Sequence, residues 1–96
     1  MPLYKVVVEG RRVETLVDDS FAVLGFVAVR WLRASGREAA EREGLELVWK
    51  ELHARRTILN ADAAPPGLVL EEISEASEMP AVQPGFAWYA DDEQAR

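Results

Sequence analysis

The residues best suited to bind a ligand are three arginines near the start of a predicted helix. Arg30, Arg33 and Arg37 follow one another at spacings of three and four residues. A guanidinium group is permanently charged and can hold a carboxylate or a phosphate through paired hydrogen bonds. The backbone N–H groups of a helix N-terminus also attract anions. These three arginines therefore form a candidate site for a small anion or carboxylate.

Arg30 is the most unusual of the three, because it interrupts a long apolar segment. A buried arginine needs a carboxylate or several other acceptors around it. Three interpretations follow from this requirement. Arg30 forms a salt bridge with a strand glutamate such as Glu72, it points to a dimer interface, or it contacts the carboxylate of a ligand directly.

Residues that could perform catalysis or bind a metal are scarce. The chain has no cysteine and one histidine, His53, which excludes thiolate nucleophiles and zinc sites built from cysteine. His53 has no carboxylate at helical spacing on its side of the helix, and no serine lies in a strand–turn–helix nucleophile motif. The sequence predicts no catalytic residue, no metal and no cofactor, and therefore a protein that is not an enzyme.

Carboxylates are concentrated in one segment of the second half, at Glu71, Glu72, Glu75 and Glu78. Adjacent residues of a strand point to opposite faces of a sheet, so Glu71 and Glu72 come together only if a β-bulge intervenes. We interpret these glutamates as solvated charges that prevent association between sheet edges.

The elements that position these residues are predicted from alternating and β-branched segments. The predicted strands are residues 3–9, 11–17, 21–34, 68–78 and 86–89, with a turn at Asp18, Asp19 and Ser20. Ser35 and Glu38 have the spacing of a capping box, which predicts the start of an amphipathic helix of about 20 residues. Residues 57–67 are predicted to be a connector.

The order of these elements, β-β-β-α-β-β, predicts the fold class. It indicates an α+β two-layer sandwich, in which one long helix packs on a mostly antiparallel sheet of four or five strands. A ferredoxin-like arrangement is an alternative, although its usual second helix is missing. The helix is expected to turn its small and apolar side toward the sheet, and this side comprises Ala40, Gly44, Leu45, Val48, Trp49 and Leu52. Residues 1–90 are expected to form one domain, and residues 91–96 an acidic flexible tail.

One helix is too narrow to cover all the apolar surface of such a sheet. It spans two or three strands, since a helix is about 10–12 Å across and strands lie about 4.8 Å apart. Large uncovered apolar surfaces are rare in monomers, so we expect a symmetric homodimer. Phe86 and Trp88 are predicted to close the core under the helix. The predicted interface residues are Phe26, Ala28, Leu32, Ala87 and Tyr89.

Charge is distributed unevenly along the chain. Residues 1–56 contain nine acidic and ten basic residues, whereas residues 57–96 contain eight acidic residues and only Arg96 as a base. This acidic second half disfavours binding to nucleic acid and would suit a basic protein partner. The longest apolar run, residues 21–29, is too short to cross a membrane, and the N-terminus lacks the features of a signal peptide. We expect a cytoplasmic protein that does not bind membranes.

Four segments of the chain form a recognisable series: GFVAVRWLRA, AAEREGLELVWKEL, ILNADAAPPGLVLEEI and PGFAWY. Over residues 25–89 this series resembles a group of small uncharacterised bacterial proteins, in which a Gly-Phe strand ending in arginine precedes an Ala/Glu-rich helix. The resemblance implies a bacterial source and no particular activity, and it assigns no functional residues.

Two functional hypotheses follow. The first is a non-enzymatic, homodimeric interaction module that binds a basic protein partner. The second is a small-ligand or anion-binding regulatory domain that uses Arg30, Arg33 and Arg37. The two differ in whether the arginines are free to receive a ligand, and in whether the uncovered sheet face is an interface.

Overall fold

The computed structural model describes residues 1–54 and 67–90. The chain forms two long strands, β1 (Leu3–Val17) and β2 (Ser20–Arg33), then one helix, α1 (Arg37–His53). Two further strands follow, β3 (Gly67–Glu75) and β4 (Ala87–Ala90). The four strands form a single antiparallel sheet in the order β3-β1-β2-β4, with α1 on one face. The predicted α+β class with an antiparallel sheet and one helix is confirmed.

The element order differs from the prediction in one respect. The first two predicted strands are one continuous strand, β1, so the order is β-β-α-β-β. Gly10 is followed by a β-bulge, where Arg11 and Arg12 lie opposite the single residue Gly25. A bulge bends a strand without ending it, which explains why the sequence reads as two strands. The ferredoxin-like alternative finds no support, since the described residues contain one helix.

Strands β1 and β2 form a long hairpin of 15 and 14 residues. Asp18 and Asp19 connect the strands with positive φ angles of 51° and 66°, as a two-residue turn of the mirror-image type requires. This confirms the predicted turn. Beyond Arg11 in β1 and before Leu24 in β2, the hairpin has no neighbouring strand among the described residues. It therefore extends past the four-stranded part of the sheet as a two-stranded arm.

Helix α1 begins one residue later than the capping box predicts. Gly36 occupies the N-cap position with an extended backbone, and no side chain caps the helix. Ser35 thus lies outside the helix and Glu38 is its second residue, so the reciprocal hydrogen bonds of a capping box cannot form. Ala40, Gly44, Val48 and Leu52 are buried, as predicted, whereas Leu45 and Trp49, predicted on the same side, are only half-buried.

The core lies between α1 and the four strands. Gly44 allows the helix to approach the sheet closely, since a Cβ atom there would lie 2.9 Å from Val6 Cγ2. The main cluster of fully buried side chains comprises Val8, Val13, Phe26, Ala28, Val48 and Leu52. Phe86 and Trp88 pack against it, with ring centroids 4.6 and 5.3 Å from Phe26. Their predicted position under the helix is confirmed.

Two predicted segments lie wholly or mostly outside the described residues. These are the flexible tail at residues 91–96 and most of the connector at residues 57–67, of which the structure describes Gly67 as the first residue of β3.

Candidate functional site

Arg30 is buried on the helix side of the sheet, where Glu51 compensates its charge. The guanidinium Nη2 lies 2.6 Å from Oε1 of Glu51, and Nε lies 3.1 Å from Oε2. Nη1 donates to the backbone carbonyls of Val29, at 2.7 Å, and Pro84, at 2.6 Å. The suggested partner Glu72 is wrong: it is paired with Val7 of β1, whose side chain lies on the face of the sheet away from the helix.

A groove of about 620 Å³ runs between the end of α1 and the segment before β4. Arg30 and Glu51 form part of its wall together with Leu47, Gln83, Pro84 and Phe86. The arginine side chain is only 5% exposed and stacks 5.4 Å from the Phe86 ring centroid. Since its charge is already balanced, Arg30 ties the segment before β4 to the helix. A free anion would have to compete with Glu51.

Arg33 and Arg37 have exposed hydrogen bonds to backbone carbonyls. Arg33 Nη1 donates to Met1 O, and Arg37 Nη2 donates to Ile73 O, each at 3.0 Å. Arg37 lies at the first turn of α1, about 21 Å along the helix axis from Glu51, the partner of Arg30. The structure therefore does not bring the three arginines into one site, and this weakens the hypothesis of an anion-binding domain.

The predicted interface residues lie on two different faces of the sheet. Phe26 and Ala28 are fully buried in the core, so their prediction as interface residues is wrong. The sequence is apolar on both sides of β2 and does not reveal which side the helix covers. Leu32 shares their side, since it pairs with the buried Tyr4. Ala87 and Tyr89 lie on the opposite face, paired with Val27 and Gly25.

We call this opposite side of the sheet, which no described helix covers, the open face. Along β2 it presents an apolar stripe, formed by Phe21, Val23, Val27, Val29 and Trp31. Phe21 at the arm is 63% exposed, and its cross-strand partner Leu16 is 40% exposed. The stripe therefore continues from the four-stranded part of the sheet onto the arm.

Tyr89 links three strands across the open face. Its ring lies over Gly25, where a Cβ atom would be 2.4 Å from Cζ of the tyrosine. The hydroxyl then donates a 2.6 Å hydrogen bond to Oε2 of Glu9 in β1. Glycine at position 25 is required for this close approach. The sequence predicts Tyr89 at the open face. It contains no pattern that predicts the hydrogen bond to Glu9, which lies 80 residues away.

A second β-bulge, in β3, gathers acidic residues at one edge of the open face. Val7 pairs with Glu72 and Val8 pairs with Leu70, so Glu71 is the additional residue. The bulge directs both Glu71 and Glu72 to the open face. Glu71 forms a side-chain hydrogen bond with Glu9 on the neighbouring strand. The sequence predicts that Glu71 and Glu72 come together only where a bulge intervenes, and the bulge is present.

The contact between Glu9 and Glu71 moves the pKa values of the two carboxyl groups in opposite directions. The hydrogen bond from Tyr89, followed by that from Glu71, lowers the pKa of Glu9, and Arg11 at 3.5 Å adds to the effect. The hydrogen bond to Glu9 and repulsion from its charge raise the pKa of Glu71. The charged form of Glu71 is therefore disfavoured beside the carboxylate of Glu9 on this face.

Replacing Glu71 with glutamine should stabilise the protein at neutral pH. The amide keeps a donor for Glu9 but carries no charge. Because the folded state raises the pKa of Glu71, its contribution to stability is present at low pH and is lost as the pH rises through that pKa. We expect the melting temperature of E71Q to exceed that of the wild type at about pH 7 and to converge with it near pH 4.

Glu75→Gln is the matched control for this prediction, because Glu75 is an exposed glutamate of the same strand that pairs with Tyr4. An equal, pH-independent gain in both variants would show that net charge alone is responsible and would contradict the role of the Glu9–Glu71 contact. Thermal unfolding followed by circular dichroism across this pH range makes the comparison.

No family model, curated protein or solved structure matches the chain. Within residues 1–54 and 67–90, no helix is long and apolar enough to cross a membrane. In the same residues, no three histidine, aspartate or glutamate side chains are grouped so that they could hold a metal ion. His53 is exposed at the end of α1, with its ring 5.8 Å from that of Trp49.

Proposed function

We propose that the protein is a non-enzymatic interaction module that forms a homodimer by packing the open faces of two sheets together. The observation that carries this proposal is the apolar stripe on β2, which no described element of the same chain covers. The partner in this contact is a second copy of the chain. A cytoplasmic location remains part of the proposal.

The size of the open face supports a stable dimer. With strands about 4.8 Å apart and a rise of about 3.3 Å per residue, the four strands present a projected area of roughly 650 Å². Side chains increase the accessible area above this value. A standard protein interface buries about 800 Å² on each partner. The face and its arm therefore offer approximately the area that a dimer of ordinary affinity requires.

The distribution of residue types on the open face also supports an interface. Apolar side chains line β2 at Val27, Val29 and Trp31, while charged side chains flank them on the neighbouring strands, at Lys5 and Glu9 of β1 and Glu72 of β3. An apolar patch flanked by charged side chains resembles the core and rim of protein interfaces. Two antiparallel sheets pack about 10 Å apart through such faces, and a two-fold axis makes the contact self-complementary.

Placing a charge at the centre of the open face should dissociate the dimer. In Val29→Glu the carboxylate would be buried without a partner in the dimer but hydrated in the monomer. We expect the dimer dissociation constant to rise at least about 100-fold, since a free-energy cost of roughly 3 kcal/mol corresponds to that factor. Sedimentation velocity measures the change, and circular dichroism checks that the variant remains folded.

Val82→Glu is the control for this variant, because Val82 is 83% exposed and lies outside the sheet. A second variant, Phe21→Ser, tests the arm at a position that is already exposed in one chain and therefore carries little risk of misfolding. The proposal predicts weaker association for the two open-face variants and unchanged association for V82E. Unchanged association of V29E and F21S would refute it.

A further inference from the structure

We propose that the outer edge of β3, from Gly67 to Glu72, binds an extended basic segment of another protein as a fifth strand of the sheet. This inference deepens the proposed interaction role, on which it rests, but it does not require the dimer. Lysine or arginine side chains of the added strand would lie beside Glu71 and Glu72.

Among residues 1–54 and 67–90, no strand pairs with this outer edge. At the opposite edge of the sheet, β4 pairs with part of β2. Next to β4 along this edge, the side-chain amide of Gln83 forms two hydrogen bonds with the backbone of Trp31. It accepts from the N–H at 3.1 Å and donates to the carbonyl at 3.0 Å. β3 has nine residues and pairs only with β1 among the described elements. Backbone groups along its outer edge can therefore pair with another strand.

Arg37 defines one end of the available edge. Its Nη2 already donates to the carbonyl of Ile73, so an added strand would pair with the residues before Ile73. This leaves Gly67 to Glu72, in which Val69 is 51% exposed and Leu68 and Leu70 are half-buried. Cross-strand neighbours of these apolar side chains would be β-branched or apolar residues.

The charges at the edge determine the class of partner. Glu71 and Glu72 are exposed on the same face because of the bulge, and Glu9 adds a third carboxylate beside Glu71. A cationic side chain on a neighbouring strand would lie about 4.5–5.5 Å away between Cβ atoms. It would relieve the repulsion between Glu9 and Glu71. The favoured partner is thus an extended segment in which basic residues alternate with β-branched ones.

A second copy of β3 fits this edge less well. It would bring the same glutamates to the new pair of strands, and like charges across neighbouring strands are destabilising. The two interactions therefore use neighbouring surfaces that meet at Glu71 and Glu72: the dimer packs on the apolar stripe of β2, and the added strand pairs with the backbone of β3. The open face receives a second copy of the chain, whereas the β3 edge receives a basic strand.

The test is a titration of the full-length protein with a synthetic peptide in which lysine alternates with threonine. Two-dimensional NMR is expected to show shifts of backbone amides in residues 67–72, and calorimetry is expected to show binding that weakens as salt increases. Glu71→Gln combined with Glu72→Gln should reduce the affinity about tenfold, since two favourable cross-strand charge pairs are lost.

Two controls separate edge binding from general attraction between charges. The variant Glu38→Gln combined with Glu41→Gln removes the same charge from exposed positions of α1, and it should retain the affinity. A peptide with glutamate in place of lysine should not bind. Absence of binding by the lysine peptide, equal loss of affinity in both double variants, or shifts confined to β2 and β4 would each overturn the inference.

Sedimentation of the same samples distinguishes this inference from the proposed function. A dimer that does not bind the peptide overturns the edge site alone, and a monomer that binds it supports the edge site while contradicting the dimer. Shifts in residues 67–72 on simple dilution, without peptide, would place a second copy on β3 and overturn the inference.

Discussion

Replacing Glu51 with alanine is expected to lower the free energy of unfolding by about 2–3 kcal/mol. Loss of one partner from a fully buried ion pair typically costs about 3–5 kcal/mol, because it leaves an uncompensated charge. The value is smaller here since the Glu51 side chain is 37% exposed and water can partly replace it. Arg30 would retain its bonds to the carbonyls of Val29 and Pro84. Urea unfolding measures the loss.

A double-mutant cycle shows whether the loss comes from this ion pair. Arg30→Met combined with Glu51→Leu removes both charges, so no carboxylate or guanidinium is left unpaired. We expect the double variant to be more stable than the sum of the single effects indicates, with a coupling energy of about 1–3 kcal/mol. Additive effects would mean that Arg30 and Glu51 contribute independently, and the structural role assigned to Arg30 would be wrong.

The second large effect is expected at the centre of the core. Phe26→Ala removes a ring that is fully buried and packed against Phe86 and Trp88. Truncation of a buried phenylalanine to alanine costs about 3–5 kcal/mol, because apolar contacts are lost and a cavity remains. The enclosed position makes relaxation of the cavity difficult, so we expect the upper half of this range in urea unfolding.

Val82→Ala is the reference for this substitution, because Val82 is 83% exposed and its truncation should change stability by less than about 0.5 kcal/mol. Both variants must be compared at the same protein concentration, since dimerisation adds to apparent stability. If F26A lost no more stability than V82A, Phe26 could not lie in the core. An interface position for Phe26, as the sequence predicts, would then be favoured.

The fold class could be predicted from the sequence because helix and strand periodicities are clear in it. The spacing of Ala40, Gly44, Val48 and Leu52 correctly identified the buried side of α1. The choice between the two faces of β2 could not be predicted, since both carry apolar side chains. That choice depends on the direction in which the chain leaves Arg33 and enters the helix, which is a property of the tertiary structure.

The candidate sites were less predictable than the fold, because they depend on register. Arg30 was correctly expected to need acceptors, but Glu51 lies 21 residues away, on an element whose crossing angle the sequence does not give. Glu71 approaches Glu9 only because of a one-residue bulge in β3. A bulge changes which residues share a face, and it follows from strand pairing rather than from local composition.

Tertiary packing also explains why the predicted capping box is absent. Ser35 and Glu38 have suitable types and spacing, but the cap is Gly36, whose carbonyl accepts the first helical hydrogen bond from Ala40 at 2.9 Å. The connection from β2 to α1 determines where the helix begins, and it shifts the helix start by one residue. Local sequence patterns identified the helix, while tertiary packing selected its first residue.

Sedimentation equilibrium of the wild-type chain at micromolar concentration shows directly whether the open faces of two chains pair. The open-face dimer predicts a mass twice that of the 10.7 kDa chain, falling toward the monomer mass as the protein is diluted. A monomer mass throughout the concentration range would rule out this dimer, because no second copy would then cover the apolar stripe on β2.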